Sequence, residues 1–490
     1  MLWHQFVVQQ TVMKPDQHAA STTDCKDQGL LFPELTNRTV VVDFKAGHVS
    51  SDGGAVLLGR LDRSQGYLRR FVGCFVDHRN EELIEHELLE LMRQRIFGLA
   101  LGYEDLNDHD RLSDDPLLAS VCGKKDPLGR DRQRKRDRGK ALAGKSTLNR
   151  LELTPEGASA AARYKKIEAD PEAIEDYFIQ EYVRSLPPWT TSVVLDLDAT
   201  DDPLHGEQEG RFFHGYYREY CYLPLYIFAG HWPVLAWLRT SKRDASSGAT
   251  EKVAKIVAAL RKRFPRLKIR LRGDSAFCRD GLMSWCEDHG VEYVFGLARN
   301  AVLQRELSEA MDQAQAQSQA QDGVAARVFK EFEYAAETWE RRRRVIGKAE
   351  WTQGGPNPRF VITNLAAEAV AAQSLYEEEY CGRGDMENRI KEQQLDLYAD
   401  RTSTATLRAN QLRLWFSTLA YLLMNQMRQV GLVGTELARA TCGTIRLRLL
   451  KIGALVRVSA RRVLISLSSA YPRPELFGLV AARLRAGPSG

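Results

Sequence analysis

The chain has 490 residues, 44% hydrophobic and 27% charged, a composition of soluble globular proteins and a length that implies about two to four domains rather than one core. Net charge is only +5, but from Ala405 onward 13 Lys and Arg face two acids, which points to a polyanionic partner unless those residues form an ordinary solvated surface. Eight cysteines with no C-x-x-C pair argue against a zinc ribbon or disulfide framework and for reduced thiols in a cytoplasm, Phe6-Val7-Val8 is too short for a signal-peptide core, and no run reaches the ~18 apolar residues of a membrane span.

Residues 1–37 carry few periodic apolar positions and read as an arm, followed by a short strand over Thr39–Phe44. Ser50-Ser51-Asp52-Gly53-Gly54 then resembles a helix cap for a helix through Leu61, and Asn80–Leu101 has apolar residues at helical spacing. Short helices are expected within 103–122. The charged run Gly129–Arg138 can bury nothing and reads as a loop, possible contact for DNA included. Helices resume at 157–185 and stop at Pro187-Pro188, so residues 1–185 read as a mostly helical domain.

The pattern changes at residue 191. Val193–Asp198, Tyr217–Phe228 and Pro233–Arg239 read as consecutive strands, and Thr250–Phe264 as an amphipathic helix. Strand 267–273, helix 280–288 and strand 292–297 follow. This order predicts an α/β fold, a mixed sheet flanked by helices. A helix rich in Gln and Ala (301–320) opens the next segment, and extended stretches at 324–334, 339–346 and 359–364 read as a small inserted antiparallel sheet. A long helix at 375–399 and another at 405–429 close the core. Leu412–Met427 is apolar but interrupted by Arg413, Asn425 and Gln426, the mark of a buried helix rather than a membrane span. The basic tail, with runs 443–458 and 460–468, is ambiguous between helix and strand.

Three acids stand where a two-metal nuclease needs hard oxygen ligands: Asp198 and Asp274, each ending an apolar strand, and Glu387 on the long helix. Side chains alternate along a strand, so Asp196 and Asp198 share a face and either is a possible ligand; Asp198, nearer the strand end, is preferred. Asp274 follows Gly273 and precedes Ser275, a possible cap. On a regular helix Tyr380, Arg383, Glu387 and Gln394 share one face, joined by Lys391, a stripe too polar for a core and suited to holding phosphates beside a metal. Each motif alone also fits a turn, a cap or a salt-bridged surface.

Together, Leu195-Asp196-Leu197-Asp198-Ala199-Thr200, Arg272-Gly273-Asp274-Ser275 and Tyr380-x2-Arg383-x3-Glu387 resemble the DDE transposases of bacterial insertion sequences, over residues 191–400. The resemblance implies an RNase H-like core (186–300 and 375–430) interrupted by a partly β insertion (301–374), an N-terminal DNA-binding or assembly domain (1–185) and a basic C-terminal region (431–490). It implies that Asp198, Asp274 and Glu387 are catalytic and hold two Mg²⁺ ions, with Mn²⁺ substituting, and that Tyr380, Arg383 and Lys391 contact DNA. It further implies transposon ends and target DNA as partners, a homodimer on DNA, and no membrane or nucleotide. One departure matters: the lysine that ends the related signature falls on Gln394. Arg341-Arg342-Arg343-Arg344, near Trp339 and Trp351, is a possible DNA grip or simply a solvated hairpin.

Gly139-Lys140-Ala141-Leu142-Ala143-Gly144-Lys145-Ser146 matches the P-loop pattern letter for letter. No apolar strand precedes it, so the match reads as coincidence. The remaining rivals are a non-transposing nuclease on the same scaffold and a catalytically silent DNA-binding descendant.

Overall fold

The computed structural model describes residues 30–32, 35, 36, 38 and 40–485. They fall in two compact units, residues 1–47 and 48–490. In the first, β1 (Leu30–Phe32) pairs antiparallel with β2 (Val40–Val42), the short strand expected there. Most of the expected arm lies outside the described residues.

The second unit opens with β3 (His48–Ser50) and a helical layer. Its elements are α1 (Ala55–Gln65), α2 (Tyr67–Val72), β4 (Phe75–Asp77), α3 (Leu88–Leu101), α4 (Asp108–Leu112), α5 (Pro116–Cys122), α6 (Lys145–Glu152), β5 (Ile167–Ala169) and α7 (Pro171–Ser185). Helices α5 and α7 begin alike: Asp115 and Asp170 accept backbone N–H groups of the first turn, and a proline takes the first helical position, where its missing N–H costs nothing. Helix α3 starts later than the periodicity suggested, at Leu88, because Asn80 caps a separate 3₁₀ turn and the Glu90 carboxylate accepts the N–H of Glu87 at 2.9 Å. Asp52 caps nothing; its carboxylate accepts the Tyr103 hydroxyl and pairs with Lys451. Residues 157–166 are turns rather than helix, and β5 pairs with β4.

The central sheet is built from β6 (Ser192–Ala199), β10 (Leu225–Ala229), β11 (Trp232–Trp237), β12 (Lys268–Gly273) and β13 (Glu292–Leu297). The expected strand 217–228 is broken at Leu223-Pro224. Its first part, β9 (Glu219–Tyr222), leaves the central sheet and joins β7 (Asp202–Pro203) and β8 (Phe212–His214) in a small sheet of its own. Strand order is β11-β10-β6-β12-β13, with β10 and β11 antiparallel and β12 and β13 parallel to β6. Helices α8 (Ala249–Arg263) and α9 (Asp280–Asp288) make the two crossovers. This is the expected α/β arrangement, a mixed sheet with helices on its faces.

The helix expected at 301–320 is split into α10 (Ala301–Glu306) and α11 (Ser308–Ala320). The strands that follow, β14 (Ala326–Tyr334), β15 (Arg343–Thr352), β16 (Gly355–Pro356) and β17 (Arg359–Thr363), do not form a separate sheet. β17 pairs antiparallel with β13 (Val294↔Thr363 to Leu297↔Phe360), then β15 and β14 follow, so the central sheet grows to nine strands. The outer edge of β13 carries unpaired N–H and C=O groups, and β17 satisfies them.

The expected helix 375–399 is not regular: a turn of α12 (Ala372–Ser374) runs into a π-turn over Leu375–Tyr380, a 3₁₀ turn over Cys381–Arg383, and then α13 (Gly384–Leu397). Helix α14 (Leu407–Gln426) is buried on all sides, as expected of a core helix, and no helix among the described residues is long and apolar enough to cross a membrane. Its Gln411 accepts the N–H of Leu238 and donates to the carbonyl of Ala236, at the edge strand β11. Glu152 of α6, fully buried, joins Arg95 of α3 (2.6 Å) to Arg413 of α14 (2.7 Å). The ambiguous tail resolves into α15 (Cys442–Ile445), β18 (Ala454–Val458), β19 (Val463–Leu467) and α16 (Pro474–Arg483), with β18 paired between β19 and β3. Cys74, Cys122, Cys221, Cys278, Cys286, Cys381 and Cys442 are all free thiols.

Candidate active site

Register explains how residues 76 apart in sequence come together. In the parallel pair β6/β12, Arg272 lies opposite Asp196 and Gly273 opposite Leu197, so the next position sets Asp274 beside Asp198. Neighbouring strands are ~4.8 Å apart, and both acids sit at the C-terminal end of their strands, where open α/β sheets bind ligands. Apolar Val193, Leu195 and Leu197 fill the other face of β6 and fix which way the acids point.

Asp196 and Asp198 differ in a partner that strand alternation cannot reveal. Arg272 Nε and Nη2 grip the Asp196 carboxylate at 2.6 and 2.8 Å, and Asp196 is only 2% exposed. Asp196 is therefore spent on a bidentate pair, and Asp198 is left to face the site. Arg272 has a third bond, Nη1 to the carbonyl oxygen of Glu379 at 2.8 Å, while Arg270 on the same face of β12 reaches the Glu379 carboxylate at 2.6 Å. Two arginines of β12 thus pin the π-turn that precedes α13.

That π-turn carries Tyr380 and leads to Arg383 and Glu387. The uniform face expected for Tyr380, Arg383, Glu387 and Gln394 does not survive, because π and 3₁₀ turns wind at different rates from an α-helix. Yet Arg383 Nη2 lies 2.9 Å from Glu387 Oε1 while its Nη1 lies 3.8 Å from Asp198 Oδ1, so one guanidinium stands between the first and third acids. Tyr380 lies over Gly296 of β13: a Cβ there would stand 2.6 Å from the Tyr380 hydroxyl and 3.0 Å from the Ser275 nitrogen. Gly382 does the same for Arg272, whose Nη1 passes 2.6 Å from where its Cβ would be. Gly296 and Gly382 are site residues the sequence reading did not single out, and Arg272 entered it only as part of the Arg272-Gly273-Asp274-Ser275 motif; a glycine inside an apolar strand, Phe295-Gly296-Leu297, was the available signal.

Burial pushes the Asp198 carboxyl up to about 7; Arg383 opposes this, and the nearby Asp274 and Glu387 add to it. Arg383 is raised although burial lowers it, because Asp198, Tyr380, Glu387 and Asp274 surround it. The Tyr380 hydroxyl is raised by burial first, with Arg383 opposing and Asp274 reinforcing. These mutual effects describe one electrostatic cluster of three carboxylates around a guanidinium. Among the described residues no three His, Cys, Asp or Glu groups stand close enough to share one ion; the Arg383 guanidinium contacts both Asp198 and Glu387. Hard oxygen donors, with Asp198 buried beside Asp274 and Glu387, are the donor chemistry that suits a divalent cation.

Other expected contacts fall elsewhere. Gln394, at the signature lysine position, donates to the Asp202 carboxylate (3.0 Å) and the Asp201 carbonyl (3.3 Å), bracing α13 against the loop after Asp198. Asp202 is fully buried, and burial raises its carboxyl well above the ordinary range, with the Gln394 hydrogen bond opposing. Lys391 is exposed one turn past Glu387. The arginine run is not a free DNA grip: Arg341 pairs with Glu287 and Asp288, Arg343 is buried against Glu287 and Asp280, Arg344 pairs with Glu331, and Arg342 donates to the Glu333 carbonyl. Part of the basic tail is likewise structural, with Arg428 buried on Glu392 and Arg446 donating to the carbonyls of Ala100 and Asp396. Arg439, Arg448, Arg457, Arg461, Arg462 and Arg485 are exposed.

The P-loop-like stretch has no strand before it; between β4 and β5 the described chain holds only helices and turns. At the start of α6, where a phosphate would lie, the Asp110 carboxylate accepts the Lys145 N–H at 2.8 Å, and Lys145 Nζ bonds Asn107 Oδ1 at 3.0 Å. The charged run before it is pinned, with Arg132 bonded to Glu85 and to the Lys140 carbonyl.

Among solved structures, the chain is similar to piggyBac transposase in a cryo-EM synaptic complex with hairpin DNA, at 11% identity over 81% of this chain and 79% of that one, with a TM-score of 0.40. No curated protein matches it. The family model for the transposase DDE domain, group 1, matches residues 32–489, nearly the whole chain. The chain belongs to that family: it is a DDE transposase, an enzyme that acts on DNA.

Proposed function

We propose that this transposase binds the ends of a bacterial insertion sequence and, as a homodimer on DNA, cleaves them and joins them to target DNA by in-line phosphoryl transfer at Asp198, Asp274 and Glu387. The observation that carries the reading is the side-by-side ending of two parallel strands in Asp198 and Asp274, with Arg383 reaching from Asp198 to Glu387. Three carboxylates suit two Mg²⁺ ions, with Mn²⁺ substituting. Bound there, the ions would supply an activated water or 3′-hydroxyl and charge neutralisation at the leaving oxygen.

The chain's own residues do the positioning. Asp198 and Asp274 are fixed by strand register, and Glu387 closes the set from the first turn of α13. Arg383, turned from the carboxylates to a phosphate oxygen, holds the scissile group, with Tyr380 as neighbouring hydroxyl donor and Lys391 on the flanking backbone. Residues 1–185 serve end binding and assembly, 301–374 is an insertion into the core, and the exposed arginines of 431–490 meet the DNA backbone. No covalent protein–DNA intermediate and no nucleotide takes part, and the protein works in the cytoplasm.

The test is cleavage of supercoiled DNA carrying the inverted repeats that flank the coding region, by wild type and Asp274→Ala. Metal-dependent cutting at the ends that is lost in the variant supports the proposal; cutting that survives Asp274→Ala refutes it. Sequence-independent cutting indicates a plain nuclease, and binding without cutting a silent descendant. Separately, Mn²⁺ should raise the melting temperature of wild type and not of Asp198→Ala.

A further inference from the structure

Four residues after Asp198 the chain enters β7, which pairs with β9, which in turn pairs with β8. The β8–β9 hairpin carries the densest group of exposed aromatics in the unit: Phe212 and Phe213 are 43% and 49% exposed, Tyr220 43%, and Tyr216, at the tip, 82%. It is built as a rigid platform. Phe213 and Tyr220 are directly cross-strand with ring centroids 5.4 Å apart, and the Arg211 guanidinium stacks 4.1 Å above the Tyr220 ring. Tyr216 and Tyr217 meet edge to face at 5.0 Å in a turn closed by Arg218 N–H to the His214 carbonyl, with Arg218 in the left-handed region (φ 59°). The base of the hairpin is tied down by Thr240 to the Gly210 carbonyl and Ser241 to the Phe212 carbonyl.

Exposed apolar rings are unfavourable in water and mark a contact surface. Two observations name the occupant. The hairpin stands beside the acidic site: Asp202, four residues after Asp198, pairs with Tyr222 at the end of β9, and Tyr226, four residues further on, pairs with Asp198 itself. And the Asp198 side chain is only 17% exposed, so a phosphate reaches it more readily on a strand parted from its complement than on an intact duplex. Aromatic faces flanked by arginine bind unpaired bases of any sequence.

Resting on the function proposed above, we infer that the Phe212–Tyr220 hairpin is a base-stacking wedge that receives bases unpaired at the cleavage position, with Tyr216 and Phe213 as its principal contacts. The full chain is tested on two duplexes carrying the flanking inverted repeat, one fully paired and one mismatched at the cleavage position. Tyr216→Ala and Phe213→Ala should cut the paired duplex about ten- to a hundredfold more slowly and the mismatched one near the wild-type rate; Tyr216→Trp should restore the paired rate. With Ca²⁺ in place of Mg²⁺, 2-aminopurine beside the cleavage position should brighten with wild type and with Asp274→Ala but not with Tyr216→Ala. Equal rates for variants and wild type, equal loss on both duplexes, or a change in self-association alone overturns the inference. Brightening without cleavage would instead fault the catalytic assignment and leave the wedge standing.

Discussion

Arg272 is the side chain on which the acidic site most depends without being one of its acids. Replacing it with alanine removes two charge-assisted bonds to Asp196, whose side chain is 3% exposed, and one to the Glu379 carbonyl. Leaving a buried carboxylate without its partner costs about 3–5 kcal/mol. The loss of the neutral carbonyl bond adds about 1 kcal/mol. Against a typical net stability of about 5–15 kcal/mol, Arg272→Ala is expected to be marginal near 37 °C. Arg272→Lys keeps the charge but not the fork, so it should fold while leaving the π-turn, and with it Arg383 and Glu387, loosely held. Urea unfolding of wild type, Arg272→Ala, Asp196→Ala and the double variant measures the pair directly. The double variant should be more stable than the summed single losses predict by about 2–3 kcal/mol, within the range seen for residues in one network. Cleavage by Arg272→Lys titrated with Mg²⁺ should need more metal for half-maximal rate. Additive losses, or a lysine variant with wild-type metal dependence, would show that Arg272 neither neutralises Asp196 nor positions the helix.

Gly382→Ala should act as a mild Arg272 variant, since its Cβ meets Arg272 Nη1 at 2.6 Å, whereas Gly384→Ala, with nothing within 4 Å, should leave cleavage unchanged; matched rates would refute the contact. Glu152→Gln should cost about 3 kcal/mol or more by leaving Arg95 and Arg413 uncompensated. Burial alone raises the Glu152 carboxyl, but the two arginines hold it below its ordinary value, so its contribution is fully present above the unfolded pKa of about 4.3 and is lost as pH falls through the lowered folded value; the melting temperatures of variant and wild type should draw together as pH falls below the unfolded value. Asp202→Asn should change stability by less than about 1 kcal/mol because burial already disfavours the native carboxylate, and Gln394→Lys should leave DNA affinity unchanged because the side chain at this position is directed at Asp202; a large stability loss in the first, or tighter DNA binding in the second, contradicts the bracing role.

What the sequence by itself determined is what local periodicity can carry. Alternation in Val193–Asp198 and Lys268–Gly273 places an acid at the end of each strand and an apolar face behind it, and the chain order of strands and helices implies a mixed sheet. Spacing also found Arg383 and Glu387 as a facing pair. Tertiary structure decided everything that depends on what lies opposite. Alternation leaves Asp196 and Asp198 equivalent; only Arg272, delivered by a neighbouring strand 76 positions away, distinguishes them by binding Asp196. The arginine run 341–344 reads equally as a DNA grip or a solvated hairpin until α9 and β14 supply Glu287, Asp280 and Glu331 to absorb it. The insertion strands join the main sheet at the open edge of β13, and the π-turn before α13 is held at Glu379 by Arg270 and Arg272, contacts that no local pattern reveals. A residue type fixes which interactions are possible, whereas burial and the partner brought by the fold fix which one is made.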